Sequence, residues 1–383
     1  MRTVTPHRPR AAARGAIAAL GALAALSLAG GCVFMPELED LQAAQETQAL
    51  PLAPDPDAPR LPVLETRHHV LESPDQEVIG DVQVIFARYE NTFTAIARVY
   101  NVGYEHMRRA NPGVDQWLPG EGTPVYLPTQ WVLPDAPREG IVINVPAMRL
   151  MYFSKEKGVD GAVVQRVTSH PVGIGRQDWA TPFGVAKVTA KARDPVWYPP
   201  ASVRAEHAAM GDPLPAVVPP GPDNPLGRHV LQLSMPGYLI HGTNKPAGVG
   251  MRVSHGCIRM YPEDIEALFD RVQRGTPVHL VNQPVLAGWR DGVLYLEVHP
   301  PLEEDERDLA ADAAAVIDKA LERAGRPNVA LDDAAIAKVL EEKRGIPFPI
   351  SVPGASPERY LAAARIVENT VPVAPAEQTA DAT

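Results

Sequence analysis

Cysteine is nearly absent. The chain has two in 383 residues, Cys32 and Cys257, so at most one disulfide can form. Basic charge is also short: Lys and Arg total 36 against 46 Asp and Glu, for a net charge of −10. Phosphate backbones need a basic face, so nucleic acid is not expected as a partner. Long apolar runs are missing too. The Ala/Leu-rich stretch Ala16–Leu28 has 13 residues, short for a membrane-crossing helix. No Cys-x-x-Cys or His-x-x-x-His spacing occurs. A zinc reading of His241, His255 and Cys257 therefore lacks an evident fourth ligand, and no metal or cofactor is expected.

Proline is abundant, with 41 residues, about twice the usual share. Apolar residues at 45% and charged residues at 21% are ordinary for a soluble globular protein. The length allows two or three domains.

Residues 1–31 read as an export signal: Arg2, Arg8, Arg10 and Arg14 precede the apolar stretch, and Ala29-Gly30-Gly31-Cys32 follows it. That ending resembles a bacterial lipoprotein signal, which implies lipidation of Cys32 and a periplasmic protein anchored to the outer membrane. Ordinary cleavage with Cys32 incidental is the alternative. Lipidation leaves Cys257 as a lone thiol in an exported protein, a residue that oxidation threatens unless it has a use. Residues 32–77 include the Pro- and Asp-rich Gln48–Pro62 and are expected to form an extended tether.

Residues 78–129 suggest the order strand, helix, helix, strand. Thr92 caps a helix with Phe93, Ile96, Ala97 and Tyr100 on one stripe, and Asn111-Pro112-Gly113 ends a second. With Tyr100-Asn101-Val102, Leu118-Pro119-Gly120 and Val125-Tyr126-Leu127-Pro128, this stretch resembles a LysM domain. The resemblance implies binding to peptidoglycan glycan, although Glu90-Asn91 stands where the family usually has Gly-Asp.

Residues 139–282 read as a mainly β domain, a sandwich or partly closed barrel, with one helix opened by Pro262-Glu263-Asp264 and closed near Gly275. Residues 283–369 read as a mostly helical extension with stripes at Leu309–Leu321, Asp333–Arg344 and Ser356–Val367, and residues 370–383 as a disordered tail.

The chemistry lies in His241-Gly242-Thr243-Asn244 and Ser254-His255-Gly256-Cys257-Ile258-Arg259, with twelve residues between His241 and Ser254. A thiolate is a strong nucleophile, and an imidazole can take the thiol proton. Both His241 and His255 are candidates for that base. His255 shares a face with Cys257 if the segment is extended and diverges from it in a turn. Flanking glycines allow close approach and free N–H groups to face a substrate. A buried structural cysteine and a redox-sensing thiol are the bland readings.

These motifs, with Thr181-Pro182-Phe183-Gly184, resemble the L,D-transpeptidase (YkuD-type) catalytic domain. The resemblance implies Cys257 as nucleophile and His241 as base. Gly242 or Thr243 would orient the imidazole, N–H groups around His255 and Gly256 would hold an oxyanion, and Arg259, Ser254, Thr243 and Asn244 would line the substrate site. The implied substrate is the tetrapeptide stem of peptidoglycan. The acceptor stays open among a second stem, the lysine of a small outer-membrane lipoprotein, and water. The rival reading is a lipid-anchored peptidoglycan-binding protein without transferase activity.

Overall fold

The structure is a computed structural model that describes residues 54–73, 75–157 and 161–372. The signal segment, Cys32, the first part of the tether and most of the tail lie outside the described residues.

In chain order the first elements are β1 (His68–Leu71), β2 (Val78–Gly80), β3 (Gln83–Phe86), α1 (Phe93–Val99), α2 (Tyr104–Ala110), β4 (Pro124–Leu127) and β5 (Gln130–Val132). The central part holds β6 (Gly140–Asn144), β7 (Arg149–Lys157), β8 (Val163–Pro171), β9 (Ile174–Gly175), β10 (Gly184–Arg193), α3 (Ala201–Ala209), β11 (His229–Leu233) and β12 (Leu239–His241). It continues with β13 (Arg252–Ser254), β14 (Ile258–Arg259), α4 (Pro262–Arg271) and β15 (Pro277–Val281). The rest comprises β16 (Val285–Arg290), β17 (Val293–Val298), α5 (Leu309–Arg323), α6 (Asp333–Glu342), β18 (Phe348–Pro349), α7 (Pro357–Ala362) and β19 (Arg365–Ile366).

The central domain is mainly sheet. Among the described residues one nine-stranded sheet runs β1-β8-β7-β6-β15-β10-β11-β12-β14. It is a single curled sheet rather than two facing ones, since all nine strands join in one continuous ladder order, antiparallel except at β6–β15 and β12–β14. Ile141, Ile143, Leu231, Ile240, Ile258 and Val278 face one core with Ile265, Leu268 and Phe269 of α4. Helix α4 begins on Pro262 with Glu263 and Asp264 in its first turn, as its dipole favours. The sequence suggested this helix alone in the domain; the structure adds α3.

Three other expectations change. Part of the stretch read as tether belongs to the folded body: β1 pairs antiparallel with β8 from His68↔Thr168 to Leu71↔Gln165, and Leu71 is buried. An edge strand is held mainly by backbone hydrogen bonds, so its side chains carry little apolar pattern. The C-terminal extension keeps its helices but also carries strands: β16 and β17 form a hairpin around Asp291 and Gly292, both at positive φ, and α5 packs beside it. The third stripe stops early. Helix α7 ends at Ala362, and β19 then adds to β3 in parallel, with Val367 buried.

The small N-terminal unit has the strand-helix-helix-strand order, and the Thr92 hydroxyl accepts from the Ala95 N–H at the start of α1. It is docked on the central domain. The buried Arg149 guanidinium donates to the Asn101 carbonyl (2.8 Å) and the Ser169 hydroxyl (2.7 Å) and lies 4.0 Å from the Trp131 ring centroid. The first N–H groups of α2, on Tyr104 and Glu105, donate to the Val249 and Gly250 carbonyls at 3.4 and 3.2 Å. Gly250 has φ +79°, and a Cβ there would lie 2.3 Å from the Gly103 Cα. The unit therefore rests on the loop that joins His241 to Ser254.

Candidate active site

Cys257 precedes β14, and His241 ends β12. The two strands pair in parallel through Ile240↔Ile258 and His241↔Arg259, which brings the cysteine segment beside the strand that carries the histidine. Gly256 supplies the tight turn before the thiol. Its φ is +96°, and a Cβ would come within 3.0 Å of the Tyr238 ring. The Ser254 hydroxyl donates to the Cys257 carbonyl at 2.6 Å and closes the turn. The Thr181 hydroxyl donates to the Gly256 carbonyl at 3.0 Å and accepts from the Gly175 N–H at 3.0 Å, fixing the loop from behind.

His241 is buried, with its Nδ1 2.6 Å from the Gly242 carbonyl. A carbonyl can only accept, so Nδ1 carries the proton and Nε2 is left as the acceptor. Burial, with the Arg259 guanidinium adding to it, brings its pKa down to about 4. The Cys257 thiol is partly exposed and donates to the Gly237 carbonyl at 3.7 Å. Burial pushes its pKa up, opposed by the Leu239 N–H and by Arg259. The resting pair is therefore thiol and neutral imidazole.

The Arg259 side chain has no acidic partner among the described residues, and its buried Nε has no hydrogen-bond acceptor. A Cβ on Gly248 would sit 3.2 Å from its Nη1, so the guanidinium lies against the loop between the two motifs. Thr243 and Asn244 are held by bonds to neighbouring backbone. The Thr243 hydroxyl accepts from the Lys245 N–H at 2.9 Å, and the Asn244 amide donates to the Asp223 carbonyl at 3.1 Å. Of the two groups considered for orienting the imidazole, the Gly242 carbonyl makes the contact.

A family model for the L,D-transpeptidase catalytic domain (YkuD) matches residues 138–280. The chain is 41% identical over 270 residues to "Probable L,D-transpeptidase YcfS" of Escherichia coli (strain K12), covering 69% of this chain and 82% of that protein. It is 40% identical over 288 residues to "Probable L,D-transpeptidase YbiS" of the same strain, covering 73% and 91%. The chain belongs to the L,D-transpeptidase family. A third relative, "Probable L,D-transpeptidase ErfK/SrfK" of Salmonella typhimurium, is 39% identical over 279 residues, covering 72% of this chain and 88% of that one.

In this chain the two histidines separate. The chain between His255 and Cys257 is a turn, and the contacts of His255 are with other elements. Its Nε2 lies 3.2 Å from Glu206 Oε2, and its ring meets Trp179 edge-on at 5.1 Å. The same carboxylate is paired with Arg176. The sequence reading missed Arg176 and Trp179, and it missed Glu206 because α3 (ASVRAEHAA) has no apolar stripe and buries only Val203. Pro199-Pro200 ahead of an Ala-rich run was the available start signal.

The buried histidine also predicts acid lability. His241 is held neutral down to about 4, whereas an unfolded chain binds that proton near 6.5. The unfolded state gains protons first as pH falls. Stability is therefore full above about 6.5 and drops between there and about 4, by roughly 3 kcal/mol from this residue. His69, also brought down to about 4 by burial, acts in the same window. Calorimetry should show a nearly constant melting temperature above pH 7 and a steep fall from 6.5 to 4. A flat profile across that interval contradicts the buried neutral state.

Proposed function

We propose that the chain is a peptidoglycan L,D-transpeptidase working through a Cys257 thioester, with His241 as base. The arrangement that carries this reading is the acceptor nitrogen of a buried, carbonyl-anchored imidazole on the strand beside a partly exposed thiol. The Cys257 sulfur attacks the carbonyl carbon of the third residue of a tetrapeptide stem, a diamino acid, while His241 Nε2 takes the thiol proton. The C–N bond to D-alanine breaks, and His241 returns the proton to the leaving amine. An acceptor amine then attacks the thioester carbonyl and the thiol is regenerated.

The backbone N–H groups of the Gly256 turn are the donors for the oxyanion, each such donor being worth on the order of 3 kcal/mol. The unpaired guanidinium of Arg259 suits a substrate carboxylate. Ser254 shapes the nucleophile turn, while Thr243 and Asn244 brace the wall beside His241. His255 acts through the loop rather than as the base. This chemistry needs no metal or cofactor.

The N-terminal unit is read as a LysM-like glycan binder, supported by its element order. It would hold a strand of wall near the loop on which it rests. The segment before it is read as a lipid anchor at Cys32 with a periplasmic, outer-membrane location. Cys32→Ser should move the protein from the membrane fraction to the soluble fraction; a variant that stays with membranes removes the anchor from this account.

The function is tested by incubating the full chain with purified sacculi, digesting the glycan and identifying muropeptides by mass. Loss of tetrapeptides with new links between third residues supports transfer to a second stem. New lysine-linked species, with lipoprotein supplied, support attachment of protein to the wall. Loss to tripeptides alone marks water as acceptor. Unchanged muropeptides from a folded protein offered both acceptors contradict the proposal.

A further inference from the structure

Helix α3 lies in a segment with little to hold it by apolar packing. Val203 is its one buried residue, and Tyr198 and Met210 on either side are exposed at 69% and 64%. Its polar contacts are concentrated at Glu206. One carboxylate oxygen pairs with Arg176, and the other accepts from His255 Nε2 at 3.2 Å. Both partners flank the nucleophile turn. The Arg176 backbone N–H donates to the Ser254 carbonyl at 3.1 Å, and His255 lies two residues before Cys257. Trp179 packs against the His255 ring in an edge-to-face arrangement.

We propose that Glu206 is a positioning residue for acyl transfer, clamping α3 to the nucleophile turn through His255 and Arg176. The inference rests on the transpeptidase reading of Cys257. Thr181 secures the turn through the Gly256 carbonyl, and Glu206 secures it through the side chains on the open side. An ionised carboxylate only accepts, so His255 keeps its proton on Nε2 and a lone pair on Nδ1. The ring is thereby fixed in orientation and tautomer, and the backbone of Gly256 and Cys257 inherits the constraint. The sheet, His241 and the thiol need no part of this clamp to form. The expected defect is therefore misplacement at the reacting carbonyl rather than unfolding.

The full chain is compared with Glu206→Ala and Glu206→Gln in steady-state transfer between purified stem peptides. Glu206→Ala should lower kcat up to about 10²-fold, the order expected for a displacement near 1 Å, while KM for the donor and the melting temperature stay close to wild type. Glu206→Gln keeps one acceptor oxygen, enough for His255 Nε2 but not for Arg176 as well, and should recover part of the loss. A second readout does not depend on turnover. The groups facing His255 are Glu206, Arg176 and His207, and the carboxylate favours the imidazolium. In 15N-histidine spectra, Glu206→Gln should move the His255 midpoint to lower pH. Wild-type kcat in Glu206→Ala, or a His255 titration that does not move, overturns the clamp. A wild-type chain that releases no D-alanine from the donor with either acceptor amine present contradicts the transpeptidase reading instead, and the titration still decides whether the clamp exists.

Discussion

Cys257→Ala abolishes transfer: muropeptides from sacculi treated with the variant match those from untreated sacculi, a loss of at least about 10⁴-fold. The size follows from the chemistry. Without sulfur there is no thioester, and the remaining groups can only polarise a peptide carbonyl against a distant amine. The turn itself should survive. Gly256 supplies its backbone shape, the Ser254 hydroxyl binds the carbonyl of residue 257, and Thr181 holds the loop from behind, none through the thiol. The melting temperature should therefore stay near wild type, because a partly exposed sulfur contributes modestly to packing. A variant that unfolds would mark Cys257 as structural, and an active one would remove it from the mechanism.

His241→Ala gives the second large effect, and its pH dependence separates base from bystander. General base catalysis contributes about 10² to 10⁴-fold, so the rate at pH 7 should fall by about 10³-fold. In the wild type the thiol is raised and the imidazole is lowered to about 4, so His241 is ready to accept a proton across the neutral range. The acid limb of kcat/KM should then lie near 4, and activity should persist at pH 5. A histidine at its ordinary value would be mostly protonated there. Once His241 is gone, thiolate must come from hydroxide. The deficit should shrink about tenfold per pH unit as pH rises toward the thiol's own raised value. An acid limb near 6.5, or a deficit constant with pH, contradicts this role.

Much of the site was legible because it is written locally. Gly256 and Gly242 beside Cys257 and His241 mark a turn and a close approach that few other residues permit. The choice between two histidines was not legible from spacing, since it depends on whether residues 255–257 are extended or turned. The left-handed Gly256 supplies the turn. Glu206 was invisible for a different reason. It reaches the site from a helix 49 residues away that lacks an apolar face, and its contact is a tertiary ion pair.

The fold shows the same division. Strands whose burial alternates along the chain, such as Pro277–Val281, carry their signal locally. The β16–β17 hairpin carried its signal openly, an Asp-Gly pair between two apolar runs, and the strength of the helical stripes after it drew the reading away. Neither β1 nor β19 could be read locally. One is an edge strand and the other a two-residue addition to a distant sheet, both specified by partners far along the chain.

The most direct test of Cys257 as the acyl carrier is intact-mass analysis of the full chain mixed with a disaccharide-tetrapeptide and no amine acceptor. The account predicts an adduct equal in mass to the donor less one D-alanine, placed by digestion on the peptide that contains Cys257, absent from Cys257→Ala and slow to form in His241→Ala. Release of D-alanine without that adduct, or an adduct on any other residue, would contradict it.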